Sequence, residues 1–341
     1  MSLTELGKAG DVTVHEVRIA GNCGSVAKIL TYGATLSDLI VPMGSATRRV
    51  VLGFRNLDGY LKDRSYLGAT VGRCINRIAE GRFTLDGRFY QLPINEPPSV
   101  HLHGGTRGLS RRVWQIEDQA ADAVTFKITS PDGEEGYPGT LTARCTYRID
   151  APGTLSIELT AATDAPTLAN LGHHSYFTLQ PGSDVRDHRM MVDAEFYTPV
   201  QPNLLPTGEI LSVAGTQYDF RNLRPIGRDP RDGYDINFVL ARHWHAGESD
   251  DDPPVAARLL SPDGKLAMEL STTEPGLQFY EGIRLAPTPD DLDGAPHLPY
   301  SGLCLEPQRF PDGINRPHFP SVVLRPGQRY RQLSRFRFHA P

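Results

Sequence analysis

The sequence predicts an all-β fold made of large stacked sheets, and three observations carry that prediction. Short runs alternate apolar and polar residues with a period of two. Glycine (33) and proline (28) recur throughout the chain and separate those runs. Few windows of about 11 residues place apolar side chains at i, i+3, i+4 and i+7, because Gly and Pro interrupt most of them. A length of 341 residues is compatible with two domains, but a large β-sandwich can occupy it as one.

Residues 12–19, VTVHEVRI, alternate along their whole length and give a strand with one apolar face. Residues 83–92, FTLDGRFYQL, read as two short strands about Asp86-Gly87, a dipeptide that accepts the left-handed backbone of a tight hairpin turn. Residues 124–128, 141–149 and 155–161 repeat the two-residue period. The acidic, Pro-rich pieces 247–254 and 286–296 read as long surface loops, too short to link domains, so residues 1–341 are expected to form a single domain.

Net charge is −5, with no concentrated basic patch of the kind a phosphate backbone requires, so nucleic acid is not an expected partner. Cys23, Cys74, Cys145 and Cys304 are far apart and have no zinc-site spacing, which suits free thiols in a reducing compartment. The opening residues lack the basic start and apolar core of a signal peptide. No stretch approaches the roughly 20 apolar residues of a membrane span. A soluble, cytoplasmic protein with no membrane partner is expected.

Three stretches concentrate side chains suited to chemistry. Histidine titrates near neutrality, and two settings are unusual. In VHLHGG (100–105), His101 and His103 would share a face on a strand, with Gly104-Gly105 free to turn sharply. In ANLGHHSYFTL (169–179), His173 and His174 are adjacent and would point to opposite faces, so at most one enters a given site. In GLCLEPQRFPDGINRPHFPS (302–321), Glu306 follows an apolar run. Burial there would raise its pKa toward the range of a useful base. In GATVGRCINRIAEGRF (68–83), Arg73, Asn76, Arg77 and Arg82 offer directional donors to hydroxyl groups. Asp235 stands before an apolar strand, and Gln278 lies within an aromatic-rich one. Each of these residues, taken alone, also has a structural reading as a satisfied hydrogen-bonding group, a loop-stitching arginine or a strand-end carboxylate.

Taken in order, the stretches GR-x-x-NRI, LHGG, HSYF, YD, EPG-x-QFY and LE-x-Q with PD-x-x-N-x-P-x-FP resemble the aldose 1-epimerase (galactose mutarotase) family, from about Gly33 to Pro326. The resemblance implies a many-stranded β-sandwich, the mutarotase-like supersandwich, and no cofactor or metal. It also implies a monosaccharide substrate whose α and β anomers interconvert by acid–base ring opening and reclosure. By that resemblance His174 is the catalytic acid and Glu306 the catalytic base. Asn76, Arg77, His103, Asp235 and Gln278 are then sugar-binding residues.

The chain departs from the family pattern at His173 and Thr178, where Asn is usual, at Ile236, where His is usual, and at Pro307, where Thr is usual. His173, Ile236 and Pro307 are therefore expected on the pocket rim, where they would set sugar preference. A hexose-6-phosphate 1-epimerase is one alternative, with Arg73, Arg77, Arg82 and Arg309 gathered around the phosphate. A carbohydrate-binding or sensing protein without catalysis is another. A metalloenzyme using His101, His103 and Glu306 is a third. A monomer or a homodimer would suit any of these.

Overall fold

The computed structural model describes residues 2–22, 24–150, 153–227, 233–241, 251–292 and 297–341. Cys23, residues 247–250 of the first expected loop and 293–296 of the second lie outside them.

The period-two runs form strands, one or two residues longer at their ends than the sequence suggests: Val12–Ala20, Ala123–Ser130, Leu141–Asp150 and Thr154–Thr163. The expected hairpin pairs Arg82–Leu85 with Arg88–Gln91, closing at Leu85 opposite Arg88. Asp86 and Gly87 take φ of +50° and +77°, the two left-handed residues such a turn requires. Helix is scarce among the described residues. Its one α-helical segment is Leu57–Lys62, capped by the Asn56 side chain, which accepts from the Gly59 amide.

Three sheets make the body. A five-stranded sheet holds the five strands between Ser2 and Arg49 in simple sequence order. A nine-stranded sheet is centred on Leu141–Asp150, Thr154–Thr163, Tyr330–His339 and Ala267–Thr272. A six-stranded sheet runs Tyr176–Phe177, Leu303–Gln308, Gly276–Tyr280, Asp235–Leu240, Ala194–Thr198, Leu211–Ser212. One apolar core joins them. Phe126, Tyr147 and Phe336 of the large sheet pack with Ile236, Phe279 and Leu305 of the six-stranded sheet and with Val17, Ile29 and Leu36 of the first. Burying each such side chain contributes roughly 1.5–3 kcal/mol, so the stacking of sheets, rather than any local propensity, dominates stability.

The six-stranded sheet positions the site through its alternation. Ile236, Phe279 and Leu305 supply one face to the core. Their neighbours must then project from the other face. Register places Asp235 opposite Tyr280, Gln278 opposite Glu306, and Tyr280 opposite Cys304, so these polar groups share that second face.

Candidate active site

A cleft of about 280 Å³ opens on this polar face, and Glu306 and His174 both line it. Glu306 comes from the middle of strand Leu303–Gln308 and is 2 % exposed. His174 follows the two-residue strand Gly172–His173, which pairs with Thr70–Val71. Its backbone is clamped on both sides: its N–H donates to Ala69 O, and its carbonyl accepts from Gly68 N–H. The result sets His174 Nε2 3.7 Å from Glu306 Oε2. Glu306 Oε2 is buried and has no hydrogen-bond partner. On the other side of the imidazole, Nδ1 lies 3.5 Å from Cys304 Sγ.

Burial dominates the electrostatics. It pushes the Glu306 carboxyl well above the usual carboxylate range, the charge of Asp235 adds to the rise, and Arg77 opposes it. Burial also draws His174 down to about 4, and the positive Arg77 pulls the same way. Both shifts favour uncharged groups in the cleft. His103 is held well below its ordinary value by burial first, then by His174 and Arg77.

The remaining expected residues gather around this pair. His103 Nδ1 accepts from the Asn76 N–H at 3.2 Å, and the His103 N–H donates to Asn76 O at 3.0 Å. That reciprocal bond fixes the Nε2–H tautomer of neutral His103. Its ring meets His174 edge-on at 5.1 Å between centroids. Asn76 Oδ1 accepts from the Arg77 amide. The Arg77 guanidinium donates to both oxygens of Glu96, at 2.8 and 3.2 Å, and lies 3.7 Å from Asp235. Gln278 Nε2 donates to Asp235 Oδ1 at 2.6 Å. Gln278 is the one expected residue that does not itself line the cleft; it braces Asp235, which does.

Several expectations need correction. His101 and His103 do not share a face. The strand ends at Leu102, and His103 adopts φ +50°, which turns its side chain away from strand geometry. The following Gly104 has φ +86°, and a Cβ there would meet Gly72 O at 1.8 Å. His101 instead spends both ring nitrogens elsewhere, on Pro93 O and the Tyr137 hydroxyl, each at 2.8 Å. A metal set of His101, His103 and Glu306 is therefore not assembled. Among the described residues, the ligating atoms that do converge, within 4.8 Å of one another, belong to His103, His174 and Glu306.

The supposed rim residues are not on the rim. Ile236 and Pro307 are next in sequence to Asp235 and Glu306, so alternation sends them to the opposite face. Ile236 lies in the core, and Pro307 is buried, its carbonyl accepting from Gln332. His173 is buried between Tyr147 and Ser175, which it meets at 3.3 and 2.7 Å. The four arginines offered for a phosphate also part company. Arg73 is buried and donates to Ser130, Pro131, Pro138 and Gly139. Arg82 pairs with Glu80 on the surface, and Arg309 lines a different cavity. Of these four, Arg77 alone lines this cleft, where Arg64 and Arg284 join it.

Other residues of the cleft were not anticipated. Tyr176 and Tyr280 wall it, and Tyr66 packs against His103 at 4.6 Å and His174 at 6.0 Å. Tyr280 stands two residues from Gln278 on the same strand, so alternation alone points to it. Tyr66 and Glu96 come from irregular segments and carry no such signal.

The chain matches known proteins of one family in sequence and in fold. The family model described as Aldose 1-epimerase matches residues 15–337. The chain is 40% identical over 338 residues to galactose mutarotase of Homo sapiens, covering 97% of this chain and 95% of that one. It is 36% identical over 334 residues to aldose 1-epimerase of Escherichia coli K12, covering 94% of each. Among solved structures, an aldose epimerase homologue from C. elegans superposes with a TM-score of 0.87 at 30% identity, covering 95% of this chain and 98% of that one. Galactose 1-epimerase from Lactobacillus acidophilus superposes with a TM-score of 0.85 at 27% identity, covering 99% and 98%.

Proposed function

We infer the chemistry from one premise: the chain belongs to the aldose 1-epimerase family. The reaction is mutarotation, the interconversion of the α and β anomers of an aldose, and the protein is an isomerase. Opening the ring requires the anomeric hydroxyl O1 to lose a proton while the ring oxygen O5 gains one. The open aldehyde then rotates about C1–C2 and closes from its other face.

We propose Glu306 as the base at O1 and His174 as the acid at O5. The observation that carries this assignment is the buried 3.7 Å approach of His174 Nε2 to a Glu306 oxygen that has no other partner. Between them the two groups need hold only one proton. With the proton on His174 and Glu306 ionised, the pair is ready to open a ring. With the proton on Glu306 and His174 neutral, it is in the state that opening leaves behind. Burial biases the pair toward the second arrangement. The two differ by one proton transfer, and ring closure runs the same exchange backwards. Each well-placed transfer is worth roughly 10²–10⁴-fold in rate.

Neutral His103 presents its Nε2–H to a sugar oxygen in this scheme. Arg77, held by Glu96 and Asp235, and Asp235, braced by Gln278, orient the remaining hydroxyls. The groups present supply both proton transfers, so the scheme needs no cofactor. A free monosaccharide fits better than a sugar phosphate, because Arg77 and Arg284, two of the three arginines lining the cleft, are already paired with Glu96. We take residues 1–341 as one catalytic unit acting in the cytoplasm as a monomer or homodimer. Among the described residues no helix is long and apolar enough to cross a membrane, and Cys74, Cys145 and Cys304 are free and buried.

The test is optical rotation of freshly dissolved single anomers of glucose, galactose, arabinose and xylose, with glucose 6-phosphate alongside. Accelerated equilibration of at least one free sugar is expected. Acceleration of glucose 6-phosphate alone would favour the phosphate reading, and binding without acceleration would favour a sensing protein.

A further inference from the structure

A second concavity of about 960 Å³ lies apart from the catalytic cleft and shares no residue with it. Arg309, Arg325, Arg329 and Arg331 all line it, in a protein whose net charge is −5. They come from different segments. Arg309 follows the strand that bears Glu306, Arg325 and Arg329 flank the turn before the last strand, and Arg331 lies within that strand. Two are neutralised: Arg325 donates two hydrogen bonds to the Asp86 carboxylate, and Arg331 pairs with Glu158 and Asp251. Arg309 and Arg329 have no acidic ion-pair partner among the described residues. The Arg309 guanidinium donates to Ser321 O and lies over the Tyr330 ring, which limits its freedom. Its backbone is locked by Asn170, whose amide group bonds the Arg309 N–H and carbonyl at 3.0 and 3.1 Å.

One acid also belongs to the wall. Glu274 is 3 % exposed, and its Oε2 has no hydrogen-bond partner. Burial raises this carboxyl to about 7, against the pull of Arg309. It is thus about half-ionised near neutral pH and offsets the charge of Arg309 only in part. Two guanidinium groups without an ion-pair contact among the described residues line one concavity, one of them held in place, and match the multiple acceptor oxygens of a phosphate.

We propose that this cavity is a binding site for a phosphoryl group, distinct from the mutarotation cleft, with Arg309 and Arg329 as its principal ligands. The occupant is either free phosphate or a phosphorylated small molecule. The site does not depend on the assignment of Glu306 and His174.

Calorimetric titration of the full chain with inorganic phosphate and with glucose 6-phosphate tests it, using wild type, Arg329→Ala and the double variant Arg309→Ala/Arg329→Ala. Saturable binding is expected, weakened about tenfold or more in the double variant and partly in Arg329→Ala. Arg329 is exposed, so its single variant should fold and mutarotate as wild type, which keeps the test valid if the double variant is unstable. Tighter binding of glucose 6-phosphate than of phosphate, with the same arginine dependence, identifies a phosphorylated sugar as the occupant; equal binding identifies free phosphate. Absence of binding, or binding that Arg329→Ala leaves unchanged, overturns the proposal.

Discussion

His101 and His103 stand two residues apart, His173 and His174 one apart, and in each pair one ring reaches the cleft while the other is locked in the interior. His101 bridges Pro93 O and Tyr137, and His173 bridges Tyr147 and Ser175. His103 and His174 face each other at 5.1 Å. The cause differs between the pairs. Strand alternation separates His173 from His174. At His103 a left-handed backbone, φ +50°, breaks the alternation that would have kept it beside His101. All four rings are buried, and burial lowers the pKa of all four, to about 4 for His101 and about 3 for His173. Burial and a depressed pKa therefore do not distinguish a catalytic histidine here. The identity of its partner does: an unpartnered carboxylate for His174, a carbonyl or hydroxyl for the interior rings.

Substitution can break this comparison. The largest contrast is expected between adjacent positions. His174→Asn should lower mutarotation by roughly 10²–10⁴-fold, with little change in sugar affinity. His173→Asn should keep the rate within a few-fold while costing roughly 1–3 kcal/mol of stability, because Tyr147 and Ser175 lose a buried partner. Polarimetry and denaturant melts on both variants read the contrast, and equal rate losses would abolish it.

A smaller contrast is expected in the other pair. His103→Ala should slow turnover about tenfold to a hundredfold through one lost hydrogen bond to the reacting sugar. His101→Ala should act on stability instead, since it strands the Tyr137 hydroxyl. A His101 variant with normal stability and impaired turnover would reverse the assignment.

The pH profile sharpens the same point with the mildest perturbation. The working pair holds one proton. It gains a second as pH falls through His174's value of about 4, and it loses its only proton as pH rises through the elevated Glu306 value. The rate should therefore form a broad bell whose acid limb lies near pH 4. An acid limb near 6.5, the ordinary histidine value, would mean that His174 is not buried in the working enzyme.

Much of this was legible in the sequence, and the reasons are local. The alternating runs became strands because their apolar faces had sheets to pack on. Asp86-Gly87 became a hairpin because both residues tolerate positive φ. Glu306 and His174 could be singled out by their ordered surroundings. Expectation and structure part where alternation breaks or points elsewhere. Ile236 and Pro307 adjoin Asp235 and Glu306 and so face the interior rather than the rim. His103 could not be placed by alternation, because nothing in VHLHGG shows where the strand ends. Tyr66 and Glu96 reach the cleft from irregular loops, whose paths depend on packing with segments remote in sequence. Arg309 lies three residues beyond Glu306, an odd offset that fits its facing a different cavity.

The central claim is that Glu306 and His174 exchange a proton with the sugar. Its most direct test is the equilibration of a fresh single anomer, followed by optical rotation, with Glu306→Gln whose folding is verified by circular dichroism. The amide keeps the shape of the carboxyl but cannot take the O1 proton. The predicted result is loss of acceleration by roughly two to four orders of magnitude with the fold intact. Mutarotation near the wild-type rate in the folded variant would contradict the claim.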